Sequence, residues 1–104
     1  MRLGPSSFPV WVYDRASGAV EAANDAATDA YGGALGGRAL PDVLREVEHD
    51  ARAVLHAAHE SVKWIGPLVH VRADGSTFLA EVGLLSVPHS EKTLVLVSPD
   101  DLFP

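Results

Sequence analysis

The sequence predicts an α+β domain built on one five-stranded antiparallel sheet, with helices packed on one face of that sheet. Two strand-like segments come first, a helical region occupies the middle, and three more strand-like segments follow. The clearest hairpin signal is Asp74-Gly75, which lies between the apolar segments 68–72 and 77–87. An Asp-Gly pair in this setting favours a type I′ turn, in which both central residues need φ > 0. Strands at both ends and helices between them are typical of an α+β domain.

Length and composition exclude several functional classes. A chain of 104 residues is one domain, long enough for a core without covalent staples. It has no Cys, which excludes disulfides, thiolate metal sites and a chromophore attached through a thiol. The formal net charge of −6, without any basic cluster, disfavours nucleic acid and anionic membranes as partners. No apolar stretch approaches the roughly 20 residues of a membrane span, so we expect a cytoplasmic location and no membrane insertion.

The first half of the chain gives local signals for two strands and one short helix. Strands are predicted over 8–13 and 19–22, separated by a turn. Asn24 has the position of an N-cap for a helix over 25–31, and Gly32 has that of the C′ glycine that ends it. We expect the polar segment before residue 8 to be a leader or linker. The predicted organisation is then a leader at 1–7, a domain at 8–101 and a tail at 102–104.

The longest predicted helix runs from about residue 43 to residue 61. At about 100° per residue, Val54, Leu55 and Ala58 fall on its apolar face, and His49 falls on the opposite, polar face. The helix is therefore expected to cover the sheet with its apolar face.

Three groups of residues, taken in order, resemble a PAS domain, the small sensory module of bacterial signalling proteins. The segment 12–27 resembles the opening hairpin and the Asn that starts the first helix. The segment 31–40 contains a Tyr-Gly and a Leu-Gly-x-x-x-Leu that are similar to the next motif, and 72–78 resembles the basic-x-Asp-Gly-Ser-x-Phe hairpin. The likeness covers roughly residues 8–101. The exit departs from the usual Asp-Ile-Thr, so we expect a fragment of a longer protein or a divergent exit.

The resemblance implies a sensory or signal-relay domain of a larger regulatory protein, with a sensor histidine kinase as the expected parent. Its pocket would lie between the long helix and the sheet and would take a small apolar ligand. For His70, a structural or surface role stays open beside the pocket role. Two alternative functions also stay open: a ligand-free dimerisation or interaction module, and a haem-based gas sensor. The pocket candidates are Val54, Leu55, Ala58, His70, Phe78 and Val82, and the motif residues are Asn24, Gly32, Asp74 and Gly75.

No cofactor and no metal are predicted, although haem and non-covalent flavin stay open. His49 lies near where haem-binding PAS domains carry their proximal His, but its helical phase points away from the core. Gly66 stands at the position where those domains use a strand Arg. His56 and Glu60 are four residues apart, and two ligands on a polar helix face do not make a metal site.

No catalytic residue is predicted. The sequence has no Gly-x-Ser-x-Gly nucleophile motif, and its paired glycines read as turns. We therefore expect the domain itself not to be an enzyme.

The predicted strands are apolar on both sides, which indicates an interface. A sheet with one face in water alternates apolar and polar residues, and the segments 10–13 and 93–97 do not. We expect a homodimer through the outer sheet face or the N-terminal segment. The interface candidates are Trp11, Leu79, Leu85 and Val95.

Overall fold

The computed structural model describes residues 8–45 and 61–98, which form one antiparallel sheet of six strands and two short helices. The helices are α1 (Asp25–Tyr31) and α2 (Leu40–Val43). The sheet order is β2-β1-β6-β5-β4-β3, so the first strand pairs with the last. The strands are β1 (Val10–Asp14), β2 (Ala19–Ala23), β3 (Leu44–Arg45), β4 (Lys63–Val71), β5 (Thr77–Ser86) and β6 (Lys92–Val97).

The antiparallel sheet is confirmed, whereas its predicted number of strands is wrong. The described residues contain a sixth strand, β3, whose two residues pair with Val69 and His70 of β4. The helix predicted from about residue 43 does not begin there, because α2 ends at Val43 and the chain turns into β3. Residues 46–60, and with them the rest of that predicted helix, lie outside the described residues. Within the described part, no helix is long and apolar enough to span a membrane.

Helix α1 has the predicted bounds and the predicted caps. The Asn24 side chain accepts a hydrogen bond from the Ala27 N–H at 2.9 Å, which satisfies one of the free donors of the first turn. The same oxygen accepts from the Val10 N–H at 3.0 Å, so this cap also ties α1 to β1. Gly32 ends the helix at φ +71°, in the left-handed region that glycine adopts without strain.

The hairpin between β4 and β5 turns at Asp74-Gly75, but the predicted type I′ turn is wrong. Gly75 has φ +88°, as predicted, whereas Asp74 does not have a positive φ. The Gly75 N–H donates to the Arg72 carbonyl at 2.9 Å, and the Arg72 N–H donates to the Ser76 carbonyl at 2.7 Å. This is a three-residue loop that ends in one left-handed residue, which is the next most common hairpin connection.

Replacing Gly75 with valine is expected to destabilise the chain by about 1–3 kcal/mol, since a β-branched residue is strained at this φ. A Cβ at position 75 meets no atom within 4 Å, so the cost comes from the backbone and not from a clash. Urea unfolding measures the effect, with Gly75→Asn as the matched control because Asn tolerates the left-handed region. Equal stability of the valine variant and the native chain would place the turn elsewhere.

The two faces of the sheet differ sharply in burial. We call the face that carries Trp11 the inner face and the opposite one the outer face. Inner-face side chains join residues of α1 and α2 in one hydrophobic core. The outer face keeps Leu79 at 55% and Trp64 at 47% exposure. The fully buried large side chains of the core include Trp11, Tyr13, Val20, Tyr31, Leu35, Leu40, Val43, Leu44, Val82 and Leu84.

Candidate functional site on the inner sheet face

Polar side chains are rare on the inner face, and His70 is one of them. His70 lies in β4 and is fully buried, directly opposite Phe78 of β5 in the sheet register. The hydroxyl of Tyr31, also fully buried, approaches it from the last residue of α1. Since buried polar groups are costly without partners, the hydrogen bonds of these two side chains decide what the face can bind.

Local structure places Tyr31 accurately over the sheet. Gly32 stops α1 directly after it, and the Tyr31 carbonyl accepts a hydrogen bond from the Ala73 N–H at 2.8 Å. Ala73 belongs to the β4–β5 loop, so the hairpin holds the end of the helix. The position of the phenol ring therefore depends on both the Asn24 cap and the Asp74-Gly75 loop.

The side chains of Trp11, Tyr31 and His70, together with the Ala80 carbonyl, form a continuous chain of hydrogen bonds that we call the buried network. His70 Nε2 lies 3.0 Å from the Ala80 carbonyl, which can only accept, so the proton is on Nε2. In the neutral ring Nδ1 is then an acceptor, and the Tyr31 hydroxyl donates a hydrogen bond to it at 2.5 Å. The Tyr31 oxygen in turn accepts from Trp11 Nε1 at 3.2 Å. Every ring N–H and hydroxyl proton in the network has an acceptor.

Aromatic packing holds the network in place. The rings of His70 and Phe78 are stacked at 13°, with 4.8 Å between their centroids. Tyr31 meets Phe78 edge to face at 5.2 Å and meets Trp11 at 6.5 Å. The Arg72 guanidinium carbon lies 4.7 Å from the centre of the Phe78 ring. Such contacts add stability beyond area burial, so Phe78 helps to hold the imidazole in place.

Burial keeps both titratable members of the network neutral. It lowers the pKa of His70 to about 4, an effect that the hydrogen bond to the Ala80 carbonyl partly offsets. Burial also raises the pKa of Tyr31, while the hydrogen bond from Trp11 and the charge of Arg38 act in the opposite direction. The two neutral side chains therefore satisfy each other's polar atoms inside an apolar core.

The structure brings together three of the predicted pocket residues. His70, Phe78 and Val82 all lie on the inner face, at 0%, 9% and 0% exposure. The other three pocket candidates, Val54, Leu55 and Ala58, lie outside the described residues, as do His49, His56 and Glu60. Among the described residues, no group of three or more His, Asp or Glu side chains is placed to hold a metal ion.

Two of the predicted interface residues are on the wrong face. Trp11 and Val95 are directly paired across β1 and β6 and are both fully buried in the core. Both strands are apolar on both faces, so their sequences do not show which face is covered. Leu79 and Leu85 do lie on the outer face, where Leu79 is exposed and Leu85 is half-buried.

The sequence did not indicate the network partners of His70. Tyr31 stood out only as part of a Tyr-Gly pair, and Trp11 only as an apolar surface residue. The available signal was weak: Ala27 and Tyr31 are four residues apart and are the buried residues of α1.

No protein-family model matches the sequence, and no curated protein matches it. Solved structures do resemble the fold. The PAS domain of an HTR-like protein from Haloarcula marismortui has a TM-score of 0.73 at 20% identity, over 90% of this chain and 82% of that one. A PAS domain from a two-component sensor histidine kinase has a TM-score of 0.69 at 15% identity, over 88% and 83%. A LOV protein from Rhodobacter sphaeroides has a TM-score of 0.67 at 19% identity, over 90% and 60%. The fold predicted from the sequence motifs is thus confirmed as that of a PAS domain.

Proposed function

From this PAS fold, we propose that the chain is a non-catalytic sensory domain of a larger regulatory protein and binds a small apolar ligand at its inner sheet face. The self-contained buried network carries the proposal. Its donors already have acceptors within the protein, so the network itself needs no polar group from a ligand, and the side chains around it offer apolar contacts. One similar structure is a PAS domain from a two-component sensor histidine kinase, which supports a parent of that class.

Hexan-1-ol serves as a small apolar probe for this proposal. In methyl NMR spectra of the native chain, we expect saturable shifts of the inward methyl groups of Val82 and Leu84. The methyl groups of Leu79 and Leu94, on the outer face, are the internal control and are expected to stay in place. Equal shifts on both faces, or no saturable shift, would contradict an inner-face ligand site. A Val82→Phe variant that keeps its far-UV circular dichroism is expected to lose the inward shifts, because the added ring would occupy the proposed position of the ligand.

The outer face favours a second role, dimerisation. Sheet register places Val10, Leu96, Gly83 and Trp64 in one row across four strands. A Cβ at Gly83 would lie 2.9 Å from the Val62 side chain and 3.0 Å from the Trp64 ring, so the glycine lets these two partly exposed apolar side chains lie close over the outer face. Apolar surface of this kind on a sheet is typical of an interface. We propose that a second copy of the chain covers it, and that a change in this contact relays the signal.

Introducing a charge at an exposed apolar residue of the outer face is expected to weaken the dimer at least about tenfold, because a carboxylate would be buried without a partner. Leu79→Glu tests this by light scattering across a dilution series. Ala16→Glu is the matched control, as it adds the same charge in the exposed β1–β2 turn. A native chain that is monomeric at every concentration would exclude the dimer role.

A further inference from the structure

A single cationic side chain near the buried network is left incompletely paired. Arg38 lies in the loop between α1 and α2, and its backbone is fixed on both sides by hydrogen bonds. Its N–H donates to the Leu35 carbonyl at 3.1 Å, and its carbonyl accepts from the Val20 N–H at 2.8 Å. Nη2 of its guanidinium donates to the Asp42 carbonyl of α2. Nη1 is buried and has no hydrogen-bond partner among the described residues.

Arg38 is half-buried as a residue, but its Nη1 atom is buried, and a buried guanidinium nitrogen without a partner favours an anionic one. Arginine stays protonated throughout the physiological range, so the group cannot escape its charge by losing a proton. Leaving a buried charged donor unsatisfied is costly, and a carboxylate oxygen can accept the charge-assisted hydrogen bond that Nη1 is free to donate. The position of Arg38 is also relevant, because its charge acts on the Tyr31 hydroxyl of the buried network.

The residues near Arg38 and the net charge of the chain indicate the chemistry of the rest of the ligand. The flanking Leu35 and Leu40 are each 1% exposed and belong to the hydrophobic core. One free guanidinium nitrogen in a chain of net charge −6 suits a monoanion better than a dianion such as phosphate. We propose that Arg38 anchors the carboxylate of a small amphipathic monocarboxylic acid whose aliphatic part packs in the core beside Tyr31. This inference rests on the proposed ligand-binding function and names the chemical class of its ligand.

Three probes of the same chain length separate the carboxylate from the aliphatic tail: hexanoate, hexanamide and hexan-1-ol, at matched ionic strength. Thermal unfolding of the native chain is expected to shift upwards saturably with hexanoate, with an affinity at least about tenfold higher than for hexanamide. Arg38→Met is expected to lose this preference. Arg45→Met is the matched control, since it removes an exposed guanidinium from β3, and it is expected to bind hexanoate like the native chain.

Thermal unfolding of Arg38→Met without any probe is an independent test. Because Arg38→Met also removes the hydrogen bond from Nη2 to the Asp42 carbonyl, its melting temperature is expected to fall by no more than the few degrees that one such bond contributes. A larger fall would show that Nη1 is also paired within the chain and would overturn the inference. Equal binding of hexanoate by the native chain and by Arg38→Met would also overturn it. Binding of hexan-1-ol and hexanoate with equal affinity would remove the carboxylate anchor while leaving the proposed sensory function in place.

Discussion

Replacing Tyr31 with phenylalanine is expected to destabilise the chain by roughly 2–5 kcal/mol, although the two side chains have nearly the same shape. The Trp11 N–H loses its acceptor and His70 Nδ1 loses its donor, both inside the core. A buried polar group left without a partner costs about 1–3 kcal/mol, and this change leaves two of them. Urea unfolding followed by tryptophan fluorescence measures the loss.

A double-mutant cycle with His70→Phe separates the Tyr31–His70 bond from simple loss of packing. If the bond is as short and as buried as its 2.5 Å distance indicates, the two substitutions are expected to be non-additive by about 1 kcal/mol or more. Additive effects would mean that the two side chains do not interact, and the buried network would then be wrong.

Stability is expected to fall by about 3 kcal/mol between neutral pH and about pH 4 through His70 alone. Burial lowers the pKa of this imidazole from 6.5 to about 4, so the folded chain favours the neutral form. Below pH 6.5 the unfolded chain takes up the proton and the folded chain does not. The contribution is therefore fully present above pH 6.5 and is lost as the pH falls to about 4. Urea unfolding at a series of pH values across this range measures it.

The His70→Gln variant is the control for this pH dependence, because glutamine can donate to the Ala80 carbonyl and accept from Tyr31 without titrating. Subtracting its stability from that of the native chain leaves the His70 contribution. Asp14 and Asp74 do not interfere in this window. Hydrogen bonds lower the pKa of each from 3.8, so their contributions are lost only at lower pH. A native chain and a variant with parallel pH profiles would show that His70 is not buried in its neutral form.

Features that depend on neighbouring residues were predictable from the sequence. The Asn24 cap, the Gly32 terminus of α1 and the positive φ of Gly75 each follow from the backbone chemistry of a few adjacent residues. The motif resemblance then connected these local features to a PAS fold, which the solved structures confirm.

Features set by pairing between distant segments were not predictable. β1 pairs with β6, although most of the chain lies between them in sequence. Both strands are apolar on both faces, so no local sequence feature assigns Trp11 and Val95 to the core. The network joins Trp11, Tyr31 and His70 over sequence separations of 20 and 39 residues. β4 begins at Lys63, five residues before the predicted segment 68–72, and it contains Gly66-Pro67, a pair that is unusual inside a strand. The structure accommodates the pair at an irregularity between Ile65 and Leu68.

The central claim is that this domain binds a small, colourless apolar ligand and that its inner face is neither empty nor occupied by a pigment. A native mass spectrum of freshly purified protein, recorded together with its visible absorption spectrum, tests this claim most directly. We expect an 11.0 kDa chain, or its dimer, that carries a small adduct released on denaturation, with no visible absorption band. A Soret or flavin band would contradict the account in favour of a pigment-based sensor. Ligand-free masses alone would contradict it in favour of a module that only dimerises.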